Sequence, residues 1–258
     1  MLESLGQAQN ETELEGWLVS ASHLPGPRAN LGLAERFASG LEAIQLDDEW
    51  WNRLLQWMKL NAEDAGDNEP RVFLPFCAIQ ALGACYAASD ALRKAEIFAQ
   101  IRGAMNDPRW RMREGAAMAM QRIGEKDFNT LRSYIAEHLE QANMLERRAF
   151  IAALAHPPLL TEDARIVFAL DISDRIMEDI HADRASGTKE DFRVLSKGLE
   201  YAISVFAERL PQDGFALLAK FAATEDKRLH KIIKSNLGKA RIAKKYPEEI
   251  SRIAGMIT

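Results

Sequence analysis

Two stretches of this chain carry side chains whose types and spacing could do chemistry. From Lys227 to Lys245 there are eight lysines or arginines and no acidic residue. Lys227, Lys231 and Lys234 are spaced by four and three, which places them on one face of a helix. Such a row suits phosphates, because each neutralised phosphate releases counterions. The competing reading is a solvated face that balances an acidic N-terminal half. The second stretch is Arg109-Trp110-Arg111-Met112-Arg113-Glu114. Trp110 and Glu114 are four apart and share a face of a helix expected to start at Pro108. The bland alternative packs Trp110 between helices and pairs Arg113 with Glu114.

Other chemistry finds little support. Glu178 and His181 are three apart, as in di-iron bundles, but such a site needs a second pair and two further carboxylates. The five histidines are scattered, and no zinc-type spacing occurs. There is no Gly-rich phosphate loop, no Gly-x-Ser-x-Gly elbow and no calcium loop. Cys85 has no basic sequence neighbour to activate its thiol. No metal, no cofactor and no catalytic constellation is therefore expected. Trp50, Trp51 and Trp57 sit in acidic surroundings and read as core or interface.

The elements that must position these residues are helical. Ala and Leu abound, β-branched runs are scarce and no long stretch alternates with period two, which argues for an all-α fold. Helices are expected near 11–22, 28–44, 48–62, 70–88, 90–105, 108–123, 127–142, 144–155, 161–184, 189–209, 212–223, 226–237 and 247–257. Asp47 can cap one of them, Asp107-Pro108 reads as an N-cap with Pro at N1, and Gly124 suits a left-handed C-cap. Thr188 and Asp191 form a capping-box pattern. The segment 239–245 is expected to be a loop.

Charge and cysteines bound the setting. Net charge is −5, with 8 basic and 15 acidic residues over 1–106 but 9 basic and 2 acidic over 227–258. Cys77 and Cys85 are eight apart, roughly 12 Å along a helix, too far for a disulfide within it. Buried thiols, no leader-like N-terminus and no membrane-length apolar run point to a cytoplasmic protein with no membrane partner.

A motif recurs along the helices. Arg113, Arg148, Arg193 and Arg228 fall near helix starts with gaps of 35, 45 and 35, the length of one helix-turn-helix unit. Asp107, Pro108, Met112, Arg113, Ala116, Ala117, Met120 and Gly124 resemble the second helix of HEAT and HEAT-like repeats. Arg147 to Leu154 and Asp226 to Leu229 are partial copies. The resemblance covers roughly 70–240. It implies a right-handed α-α superhelix of about five helix pairs, one solenoid domain over 1–258. Residues 1–69 would be a helical N-terminal cap and 241–258 a C-terminal capping helix. It implies second helices lining a concave side, and no single activity.

The leading expectation is a non-enzymatic scaffold that holds a protein or peptide. The alternative is a nucleic-acid-binding protein, similar to the AlkD-like alkylpurine DNA glycosylases. In that family aromatic residues and an acid face the damaged nucleotide in a basic groove, which would give Trp110 and Glu114 those roles. Here the acid is Glu where that family has Asp, and no second aromatic can be assigned. The binding residues expected on either reading are Arg109, Arg113, Arg148, Arg193, Lys197, Arg228, Lys231 and Lys234. Placing Arg113, Arg148, Arg193, Lys197, Arg228, Lys231 and Lys234 in one groove would favour nucleic acid. Neutralising them would oppose it.

Overall fold

The computed structural model describes residues 11–44 and 46–257. Among them the protein is helical, with fourteen α-helices, three short 3-10 turns and no strand. The chain divides into two compact units, Met1–Asp127 and Phe128–Thr258.

Unit 1 holds α1 (Glu11–Ser20), α2 (Leu31–Ile44), α3 (Asp48–Met58), α4 (Phe73–Cys85), α5 (Ala91–Met105) and α6 (Trp110–Lys126). Its centre is α4, which packs on α2 and α6, on α3 and α5, and on α1. All of Phe73–Cys85 is buried. Small residues make that possible. A Cβ on Gly83 would lie 2.7 Å from Cα of Ala119 on α6, and one on Gly115 would lie 2.8 Å from Ile79 Cγ2. Only glycine lets the two helices approach this closely. Trp57 joins the core against Phe37 and donates Nε1–H to Glu15 at 2.7 Å.

Unit 2 holds α7 (Phe128–His138), α8 (Met144–Leu154), α9 (Asp163–His181), α10 (Lys189–Arg209), α11 (Pro211–Ala222), α12 (Lys227–Leu237), α13 (Ala240–Ala243) and α14 (Pro247–Ala254). Its centre is α10, which packs on α8 and α12, and on α9 and α11. In each unit, then, one central helix packs against two helices most extensively, α2 and α6 around α4 and α8 and α12 around α10, and α3 and α5 or α9 and α11 also pack on it. The alternate helices α3, α5, α9 and α11 are termed first helices and the others second helices.

The correspondence extends to single residues. Asp107 and Asp226 are 119 residues apart, as are Arg109 and Arg228. In both places the arginine Nε and Nη2 donate to the two oxygens of the aspartate, at 2.9 and 2.7 Å for Arg109 and 3.0 and 2.7 Å for Arg228. Both arginines also donate to a carbonyl 48 positions upstream, of Asn61 and of Ile180. Each clamp ties a helix start to the C-terminal end of an earlier helix or the loop after it: Asn61 follows α3, and Ile180 lies in the last turn of α9. The counterpart of Arg228 is thus Arg109, not Arg113, which corrects the register of the arginine series read from the sequence.

Local details also differ from expectation. Helix α6 begins at Trp110 with Arg109 at the N-cap, because Asp107 accepts from the Arg109 N–H instead of capping a helix that starts at Pro108. Gly124 is helical and buried, since α6 continues to Lys126. The expected loop 239–245 contains α13. The Asp47 cap and the Thr188–Asp191 capping box are formed. No described helix is long and apolar enough to cross a membrane.

Candidate binding face

In unit 2 the exposed side of α10 carries Arg193, Lys197 and Tyr201, spaced by four and so aligned along one face. The flanking helices bring further cations to it. Arg148 of α8 lies across α10, its Cγ 3.2 Å from where a Cβ on Gly198 would stand. Lys231 and Lys234 come from α12, three apart on its exposed side. Arg241 of α13 stacks its guanidinium 4.4 Å from the Tyr201 ring centroid, and Tyr201 remains 47% exposed. An exposed ring with a cation on one side offers its edge and flank to an incoming group.

Beneath these cations lies one carboxylate. Glu200 is 5% exposed and accepts from Ser196 Oγ at 2.9 Å and Lys197 Nζ at 2.7 Å, with Lys231 Nζ at 3.3 Å. Burial raises its pKa, but the hydrogen bonds from Lys197, Ser196 and Lys231 outweigh burial and hold it below the ordinary glutamate value. Glu200 therefore stays charged and orders two lysines whose heads reach solvent. Asn236 of α12 fixes the helix pair below. Its Nδ2 donates to the carbonyls of Leu199 and Ile232, both at 2.9 Å, and its Oδ1 accepts from Ser204 N at 2.8 Å.

Of the residues expected from the sequence, Arg148, Arg193, Lys197, Lys231 and Lys234 lie on α8, α10 and α12. Arg193 is paired with Glu190 at 2.5 Å. Arg228 is turned to the loop end, held by Asp226 and by Asp183 at 2.6 Å. The remaining two lie in unit 1. Arg109, 3% exposed, is spent on Asp107 and on the carbonyls of Asn61 and Ala65. Arg113 donates to the carbonyls of Asp107 and Pro108 at 2.7 and 2.8 Å. Arg111 is buried too, donating to the carbonyls of Asp67 and Gly26, and Trp110 stacks 4.4 Å over it. Trp110 is 42% exposed and Glu114 half-buried. The basic cluster around Trp110 is therefore an internal fastening of the loops before α2 and α4.

Sequence reasoning missed Tyr201 and Glu200, and had Arg241 only as one charge of the basic run 227–245. The four-residue spacing of Arg193, Lys197 and Tyr201 was a usable signal for the first. Nothing local announced that Arg241 would stack on a tyrosine forty positions earlier.

The other candidates are placed elsewhere. Glu178 is paired with Lys220 at 2.7 Å, and His181 Nδ1 lies 3.7 Å from Asp226. Among the described residues no group of three histidines, cysteines or acids could hold a metal. Cys77 and Cys85 are free buried thiols. Burial, with Glu42 nearby, pushes Cys85 up to about 12, so it is no nucleophile at neutral pH.

Comparison with family models, curated proteins and solved structures finds no match to this chain.

Proposed function

We propose that this protein is a non-enzymatic helical-repeat scaffold of the HEAT-like kind, and that its α8–α10–α12 face binds an acidic segment of a partner protein. The side-by-side order of second helices within each unit supports a right-handed superhelical repeat of about five helix pairs. The observation that carries the functional reading is that α10 shows Lys197 and Tyr201 one turn apart, with Arg241 stacked on Tyr201, Arg148 of α8 against Gly198 and Lys231 of α12 at Glu200. Complementary charge of this kind sets specificity and encounter rate. Glu190 and Glu200 offset part of the positive charge, and the whole chain is at −5. That balance fits a short carboxylate-bearing peptide better than a long polyanion.

A nucleic-acid reading keeps one observation of its own. Arg241 on Tyr201 is a stacking platform of the type single strands use. Its glycosylase form would need Trp110 and Glu114 beside free cations, and within unit 1 Arg109, Arg111 and Arg113 are bonded to loop or helix carbonyls.

The test is fluorescence anisotropy with a labelled Glu-rich peptide containing one Tyr, a Lys-rich control, and labelled single-stranded and duplex DNA, at two salt concentrations. The Glu-rich peptide should bind in a salt-sensitive manner and weaken at least tenfold in Lys234→Glu and Arg241→Glu. Tighter binding of DNA, with the peptide inert, would replace the protein partner by nucleic acid. No binding of any probe at low salt would reject the face altogether.

A further inference from the structure

A second surface of unit 2 lies between its first helices and carries the opposite charge. Helix α9 presents Val167, Leu170, Asp171 and Asp174. Helix α11 presents Asp213, Ala216, Leu217 and Lys220. Both sets follow the spacing i, i+3, i+4, i+7, so each is a single stripe of its helix, and the two stripes face one another. They enclose an open groove of about 340 Å³. Its floor is apolar: Leu170 and Leu217 are 6% and 7% exposed, and Val167 stands 49% exposed at the edge.

The rim is acidic. Lys220 is tied to Asp174 at 2.6 Å and to Glu178 at 2.7 Å. Among the described residues Asp171 and Asp213 make no ion pair and no side-chain hydrogen bond. The four carboxylates around the single lysine leave an uncompensated negative charge beside an apolar floor.

Unit 1 shows what such an interval holds when the chain fills it. There Arg93 of α5 reaches back to α3, donates to the carbonyl of Leu46 at 3.0 Å and pairs with Asp48. Its guanidinium lies 4.9 Å from the ring centroid of Trp51. An aromatic ring and a cation thus occupy the space between the first helices. In unit 2 the residue 119 positions after Trp51 is Leu170, and the one 119 after Arg93 is Gln212. Neither that ring nor that cation recurs at these positions, while Asp171 and Asp213 stand where unit 1 has Asn52 and Lys94, and Lys220, the one cation lining the groove, is tied to Asp174 and Glu178.

We propose that the α9–α11 groove docks an amphipathic helical segment of a partner protein, presenting one large aromatic side chain to Leu170 and Leu217 and a lysine or arginine to Asp171 and Asp213. Helix-in-groove recognition supplies the apolar contact, and the carboxylates select the charge. This surface is independent of the α8–α10–α12 face. It makes the protein an adaptor with one site for an acidic segment and one for a basic segment.

The test uses a labelled 14-residue helical peptide with a central Trp flanked one turn away on each side by Lys. Two controls replace the lysines by Glu or the Trp by Ser. The Trp/Lys peptide should bind the full chain, and each control should bind at least tenfold more weakly. Ala216→Arg, which puts a bulky cation in the groove at an exposed position, should weaken the Trp/Lys peptide at least tenfold, and Asp213→Lys should do likewise. Lys234→Glu and Arg241→Glu should leave it unchanged, which separates this result from any failure of the cationic face. Circular dichroism checks that the variants fold. Absence of binding, equal affinity for the Glu control, or indifference to both groove substitutions in folded protein would overturn the proposal.

Discussion

In unit 1 the central helix α4 is buried along its whole length, whereas its counterpart α10 shows Arg193, Lys197 and Tyr201 to solvent. The reason lies in where the neighbours send their charges. Arg122 and Lys126 of α6 reach Glu35 and Glu42 of α2, each at 2.5 Å, so the helices on either side of α4 are joined to one another. The residues 119 positions later are Arg241 and Lys245. They are cations too, but α8 offers them no free acid: its single acid, Glu146, is bonded into its own capping box. Arg241 therefore stacks on Tyr201 and Lys245 pairs with Glu208. The first helices repeat the contrast, with Arg93 and Trp51 bridging one interval and an open groove in the other. A few side chains that do or do not find partners within their own unit thus decide how much of each central helix stays exposed.

The comparison can be broken first at the paired clamps. Arg109 is buried, and its guanidinium meets Asp107 and two loop carbonyls. Arg109→Ala leaves the half-buried Asp107 carboxylate with the residue-109 N–H and takes the guanidinium away from both carbonyls, and should cost about 3 kcal/mol in urea unfolding of the full chain. Arg228 makes similar bonds with a side chain 40% exposed, and Asp226 keeps the residue-228 N–H, so water can enter where the guanidinium stood. Arg228→Ala should cost only about 1 kcal/mol. Equal costs would show that unit 1 is no more closed than unit 2 at this corner.

A second pair of changes asks how each unit joins its central helix to the next second helix. Unit 1 uses small residues, and Ala117 is 1% exposed on α6. Unit 2 has Asn236 at the position 119 later, cross-linking the α10 backbone. Ala117→Leu should overpack and destabilise by about 1–3 kcal/mol. Asn236→Ala should lose a similar amount, about 1–3 kcal/mol, through missing hydrogen bonds in a dry site. Thermal unfolding reads both. An unchanged midpoint for Ala117→Leu would place Ala117 away from the interface.

How far the sequence announced this can be judged residue by residue. The helices and several caps were legible because Asp47, Thr188 and Asp191 act within one turn of the groups they bond. The five cations of the α8–α10–α12 face were legible as charges on helical faces. The fate of Arg109 and Arg111 was not, because their partners, Gly26, Asn61, Ala65 and Asp67, come from loops more than forty positions away. The series Arg113, Arg148, Arg193 and Arg228, with gaps of 35, 45 and 35, set Arg113 against Arg228, whereas the Asp-x-Arg clamps pair Arg109 with Arg228, 119 residues apart. Tyr201 was overlooked because the cation that stacks on it, Arg241, comes from α13, and Glu200 because Lys231 of α12 completes a cluster whose other members, Ser196 and Lys197, lie one turn away.

The smallest expected effect tests the electrostatics of the exposed side of α10. In the folded chain the Glu200 carboxyl lies below the ordinary glutamate value, held there against burial by Lys197, Ser196 and Lys231. A carboxyl depressed in this way contributes stability that is complete above its unfolded pKa, about 4.3. That contribution disappears as pH falls through the lower folded value. The stability difference between the natural chain and Glu200→Gln should therefore be present at pH 7 and shrink on acidification below about pH 4. The exposed pairs across α4 should add little to any such difference. At pH 7 the same substitution frees two lysines on the cationic face, so the Glu-rich peptide should bind several-fold more tightly. If the stability difference is independent of pH and the peptide affinity does not rise, Glu200 is a packing residue alone. Lys197 and Lys231 would then not be ordered by it for a partner.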